Sequence, residues 1–336
     1  MKINKTDAEK ARKMIMELGI FENEYKVENK GKYVYFPIKK KISDIGEIVE
    51  LKGNKSKRRR SIEEILGKVL EKKELENLVR SYDLIGSIAV IEIPKELEKK
   101  EKEIAKAIIE VHPNIKTVAK KMSAVSGEYR TRKIKIIQGK RTKETIHKEH
   151  GCSFKLNAEK VYYSVRLSGE RERVKQLVKP GEKILALFAG VGPFPITIAK
   201  NNAECEIISV ESNPIAVKYF KENIILNKIK NIKVVEGDAG KIAEKYPEWA
   251  DRIIMPLPKD GEKFLKSAIK SAKDGCIIHF YTFVESEDPL KKAEEIAAGK
   301  FLESNTKFKV VSKRIVRSYS PKIVQVVLDL RVIKNK

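Results

Sequence analysis

Residues 183–201 carry the spacing with the clearest chemical consequence. The string KILALFAGVGPFPITIAKN joins an apolar run to Gly190 and Gly192 and then to a helical stretch, and Glu211 closes the next apolar run, CEIISVE. Elements in this order build a nucleoside site at the carboxyl ends of parallel strands, where glycines admit close backbone approach and an acid accepts from ribose hydroxyls. Asp238 ends a third apolar run, IKVVEGDA, and supplies a second acid. A dinucleotide fold wants a third glycine to seat a pyrophosphate. Here Pro193, Phe194 and Pro195 follow Gly192, which argues against a phosphate cradle.

The elements that would position these residues alternate. From Gly169 onward, strands near 183–188, 205–211, 232–236, 251–256 and 275–283 are separated by helical stretches such as PIAVKYFKENIILN, which means parallel strands with right-handed crossovers. The end differs: KFKVVSKRIVRSY and KIVQVVLDLRVIK are β-rich runs separated only by Ser320 and Pro321, so a closing hairpin is expected. FAGVGPF with its two downstream acids resembles class I S-adenosylmethionine methyltransferases. The resemblance implies an α/β, Rossmann-like domain with an antiparallel last strand, and S-adenosylmethionine as cofactor.

Upstream, residues 1–50 read as a small N-terminal α/β module. TDAEKARKMIMELGI places Ala11, Ile15 and Leu18 at helical spacing, and a short strand ends at Pro37. Residues 51–61, around KGNKSKRRRS, have no apolar periodicity and read as a basic linker. Residues 62–168 read as an α+β domain whose alternating runs, RKIKII and SFKLNAEKVYYS, argue for an antiparallel sheet. Residues 169–336 are then the methyltransferase domain.

Charge sets the partner. Over 336 residues the formal net charge is +24, with 41% hydrophobic and 35% charged residues, which describes a globular protein facing a polyanion. The excess is uneven: residues 131–180 carry 14 Lys/Arg against 5 Asp/Glu, while 61–130 carry 13 of each. A basic block directly before the glycine turn could grip a nucleic-acid backbone beside the cofactor. No run of 18 apolar residues and no signal-peptide pattern is present, so a cytoplasmic protein is expected. Cys152, Cys205 and Cys276 lack metal-site spacing and read as buried thiols; no metal is expected.

Six motifs in order, GEYRTR (127–132), TIHKEHG (145–151), KVYYSVRLSGERER (160–173), FAGVGPF (188–194), MPLPK (255–259) and RIVRSYSP (314–321), resemble the archaeal and eukaryal tRNA (guanine-37 N1)-methyltransferases. The likeness implies methylation of the guanosine immediately 3′ of the anticodon, with tRNA as partner and residues 1–50 similar in kind to a tRNA-body-reading module. N1 of guanine holds a proton at neutral pH, so the reaction needs a general base and a group to stabilise charge pushed toward O6. The resemblance assigns the base to Glu170 and the O6 partner to Arg130, a guanidinium suited to a planar edge. It also implies substrate contacts from Tyr162, Pro256, Leu257, Pro258, His147 and Lys148. Its cofactor residues are Phe188, Ala189, Gly190, Val191, Gly192, Pro193, Glu211, Ser212, Asp238, Ala239 and Arg166. Nothing in the chain points to an obligate dimer, so a monomer is expected.

Two departures narrow the resemblance. The family commonly has Asn-Leu-Pro-Lys where this chain has Pro256, Leu257, Pro258 and Lys259, and Asp where Glu211 stands. The paired change resembles the wyosine-associated archaeal subgroup, which implies a second activity, C7 methylation of isowyosine. Ala186 also stands where an Asp is frequent, which puts one cofactor contact in doubt. The alternatives are a wyosine-pathway aminocarboxypropyl transferase using the same cofactor, and a noncatalytic tRNA-binding protein.

Overall fold

The computed structural model describes residues 1–22, 24–42, 45–55, 61–78 and 81–334; most of the basic run of the expected linker, residues 56–60, lies outside them. The chain divides into two compact units, Met1–Val69 and Leu70–Lys336.

The first unit contains β1 (Lys2–Asn4), α1 (Ala8–Glu17), β2 (Glu28–Lys30), β3 (Tyr33–Tyr35) and α2 (Ile62–Leu66). The three strands form an antiparallel sheet in the order β1-β3-β2. Ala11 and Ile15 of α1 pack with Ile3, Val34 and Phe36. Leu18, expected on the same face, is 54% exposed. The helix ends at Glu17, Gly19 turns the chain with φ +64°, and Ile20 takes the core position instead. Ser61 starts α2 with a capping box: the Glu64 amide donates to its Oγ at 3.1 Å, and its own amide donates to Glu64 Oε2 at 3.1 Å.

The second unit opens with α3 (Lys72–Glu76), β4 (Asp83–Ile85), β5 (Ile88–Ile91), α4 (Glu101–Val111), β6 (Thr117–Lys121) and β7 (Ile134–Gly139). Its first sheet runs β4-β5-β6-β7 and is mixed, not antiparallel as the alternation suggests, because β5 and β6 pair in parallel. The reason is α4: a helix between two strands returns the chain to the same end of the sheet, whereas a hairpin would reverse it. A separate hairpin, β8 (Glu144–Glu149) and β9 (Cys152–Asn157), follows.

The remaining elements are α5 (Ser168–Leu177), β10 (Lys183–Ala186), α6 (Pro193–Ala199), β11 (Glu206–Glu211), α7 (Pro214–Leu226), β12 (Ile232–Glu236), α8 (Ala239–Ala243), β13 (Ala250–Met255), α9 (Leu265–Ser271), β14 (Ala272–Glu285), α10 (Pro289–Glu303), β15 (Lys307–Ser320) and β16 (Ile323–Ile333). They build a seven-stranded sheet in the order β12-β11-β10-β13-β14-β16-β15. β16 inserts antiparallel between β14 and β15, closing the expected hairpin. Both faces are covered: α8, α9 and α10 bury one, and Val174 of α5 with Phe194 and Ile198 of α6 bury the other. This is the α/β Rossmann-like methyltransferase arrangement with an antiparallel last strand.

A shared core fixes the basic block against this sheet. Ile88, Val90 and Phe154 pack with Val191, Ile196 and Phe220. Two buried asparagines, Asn223 of α7 and Asn227 at its C-terminal cap, grip β9 as a strand would: Asn223 Oδ1 accepts from the Lys155 amide at 2.7 Å, and Asn227 Oδ1 from the Ser153 amide at 2.8 Å. Their Nδ2 groups return bonds to the same residues' carbonyls. The three cysteines are free and buried. Among the described residues no helix is long and apolar enough to cross a membrane.

Candidate active site

The turn after β10 is built by positive backbone angles. Phe188, Gly190 and Gly192 have φ of +55°, +57° and +88°. A Cβ at Gly192 would stand 2.3 Å from the Phe220 ring, so only glycine lets α6 start against α7. A Cβ at Gly190 would meet only the Tyr162 carbonyl, at 3.7 Å. Gly190 therefore serves conformation and Gly192 serves packing. Pro193 sits in the first turn of α6, where a missing N–H costs nothing.

At the end of β11, Glu211 Oε2 accepts from the Gly190 amide at 2.6 Å and Oε1 from the Asn213 amide at 2.8 Å. Burial pushes this carboxyl above the ordinary glutamate value, and the backbone donors of Asn213, Gly190 and Ser212 oppose that shift without cancelling it. Asp238 caps α8, its Oδ1 accepting from the Lys241 amide at 2.8 Å. A cavity of about 170 Å³ opens here, lined by Phe188, Gly190, Glu211, Ser212, Asp238 and Ala239. Its apolar wall includes Leu257 and Phe264, the latter edge-on to Phe188 with ring centroids 4.8 Å apart. Carboxylates at the strand ends, a glycine without side chain and flat apolar walls fit a nucleoside with ribose and adenine moieties.

Arg130 and Tyr162 close the other side of this cavity. Arg130 holds an unusual conformation for a side-chain-bearing residue, φ +50°, in a turn where its amide donates to the Gly127 carbonyl at 3.1 Å. Its guanidinium lies 5.2 Å from the Tyr162 ring centroid, a cation–π contact that orients it. Both residues also line a neighbouring cleft of about 580 Å³, together with Asp83, Lys121, Arg132, Arg166, Arg317 and Tyr319. Two cavities thus meet at one Arg–Tyr pair.

Glu170 lines neither. It occupies the first turn of α5, 4% exposed, and its Oε2 accepts from the Tyr281 hydroxyl at 2.9 Å and from Arg173 Nε at 3.0 Å. Arg314 Nε lies 3.4 Å from Oε1. Arg173 turns its other nitrogens to Asp329, at 2.6 and 3.2 Å, and Asp329 accepts from His279 Nδ1 at 2.6 Å. His279 is buried and held below the ordinary histidine range, first by desolvation; the neutral ring accepts at Nε2 from Arg252, 2.8 Å away. Burial alone would raise Asp329, but its bonds to His279 and Arg173 reverse that and bring it down to about 2. The structure therefore does not bring Glu170 and Arg130 to one cavity. β15 is the link between them: it carries Arg314 to Glu170 and Arg317 and Tyr319 to the cleft that Arg130 lines.

Comparisons with known proteins converge on one family. The model of the TRM5/TYW2 methyltransferase domain matches residues 145–316, that of the TYW2 N-terminal domain residues 62–142, and that of the tRNA methyltransferase 5 N-terminal domain residues 1–46. The chain belongs to the TRM5/TYW2 methyltransferase family. It is 41% identical to the tRNA (guanine(37)-N(1))-methyltransferase Trm5b of Pyrococcus abyssi over 99% of this chain and 98% of that protein, whose crystal structure superimposes with a TM-score of 0.77. The complex of aTrm5 with tRNALeu is 34% identical over 99% of both chains, with a TM-score of 0.71. The Pyrococcus horikoshii TYW2 structure with MeSAdo is 29% identical over 82% of this chain and 98% of that one, with a TM-score of 0.68.

Several residues that the family resemblance assigns to the site stand elsewhere. His147 Nδ1 accepts from the Gly86 amide at 3.1 Å and its ring packs on Tyr163 at 5.3 Å, so its polar edge is spent inside the fold. Lys148, next on the strand, is exposed and lines neither cavity. Arg166 pairs with Asp83 at 3.2 Å and lines the cleft, not the nucleoside cavity. Pro256 and Leu257 line the nucleoside cavity, but Pro258 does not; its carbonyl accepts from the Phe283 amide at 2.9 Å and ties the loop to β14. Ala189, Val191, Gly192 and Pro193 build the turn from behind without lining the cavity, and Ala186 is buried in β10. Asn213, Ala216 and Phe264 line the cavity although sequence reasoning did not single them out. The signal for Phe264 was an aromatic residue a few positions after MPLPK; Asn213 and Ala216 sit in the capping turn of α7 that follows Glu211.

Proposed function

We propose that the chain is an S-adenosylmethionine-dependent tRNA methyltransferase that forms 1-methylguanosine at position 37, 3′ of the anticodon. The observation that carries this reading is the meeting of a nucleoside-shaped cavity and a basic, aromatic cleft at Arg130 and Tyr162. Glu211, Ser212, Asp238, Ala239 and Gly190 would hold the cofactor, which supplies an activated methyl group on a sulfonium. The purine enters from the cleft, and Tyr162 offers a ring to a base freed from the loop stack. Arg130, held over Tyr162, presents N–H donors to O6 as negative charge develops there.

Glu170 is the base in this reading. Because Glu170 lines neither cavity, this role requires a rearrangement on tRNA binding: the purine edge displaces Arg314, the longest of its three partners at 3.4 Å, and the freed carboxylate oxygen accepts the N1 proton. Tyr281 and Arg173 stay in place and aim the free oxygen. Arg314 is half exposed on β15, which makes it the partner that can leave.

Pro256 removes the directional amide that the family commonly offers to the base, and with Glu211 it favours acceptance of a larger, tricyclic base. The chain on this account also methylates C7 of 4-demethylwyosine, the tricyclic base that the names of the Saccharolobus solfataricus and Nanoarchaeum equitans relatives give; isowyosine, the expected substrate, already carries that methyl. The match over residues 1–46 supports methyl transfer over aminocarboxypropyl transfer, since the aminocarboxypropyltransferase of Pyrococcus horikoshii matches only 82% of this chain. Residues 1–50 serve as a tethered tRNA-reading module, and the enzyme acts in the cytoplasm as a monomer. Mass spectrometry of tRNA after incubation with S-adenosylmethionine tests the reading. A gain of one methyl on guanosine-bearing and on 4-demethylwyosine-bearing tRNA is expected; a gain on the first alone removes the dual activity, and a gain on neither removes methyl transfer to this position.

A further inference from the structure

The cleft beyond Arg130 is more than a passage for the target base. Of its cations, Arg132 and Arg166 share Asp83, at 3.7 and 3.2 Å, and Lys121 pairs with Glu92 at 3.5 Å. Arg317 is held differently. Its Nε donates to Oε1 of Gln325, at 2.8 Å, so a neutral amide fixes the guanidinium and leaves its charge uncompensated by that contact. Gln325 is fully buried on β16, and its Nε2 has no partner among the described residues. A buried amide with an unmet donor is costly, so its place beneath Arg317 needs a reason, and orienting that guanidinium into the cleft is one.

Two residues along β15, Tyr319 stands 58% exposed with its ring packed at a tilt against Phe283, centroids 4.5 Å apart and planes at 41°. A solvent-facing aromatic ring supported from behind is a platform for a base, and an oriented guanidinium beside it is a receptor for phosphate. Both line the same cleft as Arg130 and Tyr162.

We propose that Arg317 and Tyr319 form a subsite for a nucleotide adjoining the target guanosine. Arg317 takes the phosphate linking the two nucleotides, Tyr319 stacks the neighbouring base, and Gln325 is a positioning residue for Arg317. This rests on the function proposed above and adds to it: the enzyme holds the target by its neighbour, which steadies the loop while the purine is splayed out.

The test uses the full-length chain and tRNA transcripts with an abasic nucleotide at position 36 or at position 38, with Kd measured in the presence of S-adenosylhomocysteine and kcat/KM for methyl transfer alongside. Wild-type protein is expected to lose about tenfold in affinity on one of the two abasic tRNAs, as one base stack commonly contributes. Tyr319→Ala loses the same factor on intact tRNA and nothing further on that abasic tRNA, whereas Tyr319→Phe, which keeps the ring, retains the discrimination. Arg317→Gln lowers the slope of log Kd against log salt by about one. Equal losses for Tyr319→Ala on intact and on both abasic tRNAs, or an unchanged salt slope for Arg317→Gln, would overturn the subsite. Failure of wild-type protein to methylate intact tRNA would instead sink the proposed function, and the Kd coupling would still decide the subsite.

Discussion

The nucleoside cavity and the Glu170 cluster belong to the same compact unit but are built on opposite plans. The cavity is made largely by backbone and small residues, with its acid, Glu211, held by the amides of Gly190 in the glycine turn and of Asn213 in its own, and its carboxyl pushed up by burial. The Glu170 cluster is made by long side chains from α5, β13, β14, β15 and β16, each bonded to the next, with Asp329 pulled down to about 2. A backbone-built pocket is ready for its ligand, whereas a side-chain network holds its reactive group in reserve until a partner is exchanged. Pre-organisation and gating are thus divided between the two halves.

The largest contrast is expected in the glycine turn. Gly192→Ala forces a Cβ into the Phe220 ring at a positive φ and should cost about 3 kcal/mol or more, while Gly190→Ala makes only an ordinary contact with the Tyr162 carbonyl and should cost about 1 kcal/mol from backbone strain. Urea unfolding of the two variants checks this, and equal losses would show that packing against α7 does not set the turn.

Next, the two halves should respond oppositely to acid. Asp329 has a folded value below its unfolded one, so it contributes stability above about pH 4, on the order of 2 kcal/mol, which is lost as pH falls toward 2. Glu211 has a folded value above its unfolded one; folding takes up a proton there, and its ionisation costs stability as pH rises through that raised value. Unfolding of Asp329→Asn and of Glu211→Gln between pH 3 and 7 tests the signs. The Asp329→Asn deficit should shrink on acidification. Glu211→Gln should compare best with wild type at the higher pH, while its cofactor affinity falls tenfold or more.

A smaller effect separates aiming from structure within the cluster. Tyr281→Phe removes a hydrogen bond to a buried carboxylate, costing about 2 kcal/mol. If Tyr281 also aims the carboxylate, the single-turnover methyl-transfer rate of this variant should fall about tenfold while cofactor and tRNA affinities hold. An unchanged rate would make Tyr281 a packing residue only.

How much of this was legible in the sequence follows the same division. FAGVGPF, Glu211 and Asp238 announced the cavity because strand, glycine turn and acid are local features with a fixed spacing, and the closing hairpin was visible in two β-rich runs. Arg130 and Tyr162 reached the cavity wall through a family resemblance, since nothing local says that a turn near residue 130 folds over a strand end near 211. The Glu170 cluster was not legible: Arg173 meets Asp329 across 156 positions, and His279 meets it across 50. His147 misled for a related reason, because a histidine in a basic strand looks like a phosphate ligand until the amide of Gly86 is found against it. The mixed sheet was not legible in the alternation, because an alternating run looks the same whether a hairpin or a helix leads into it, and it is α4 that makes β5 and β6 parallel.

The measurement closest to the central claim is single-turnover methyl transfer to guanosine-37 tRNA by Glu170→Gln, with cofactor and tRNA affinities measured on the same protein. Loss of a general base predicts a rate at least about 100-fold slower with both affinities close to wild type. A wild-type rate in that variant would mean that the carboxylate bound by Tyr281 and Arg173 is structural, and that the proton leaves N1 by another route.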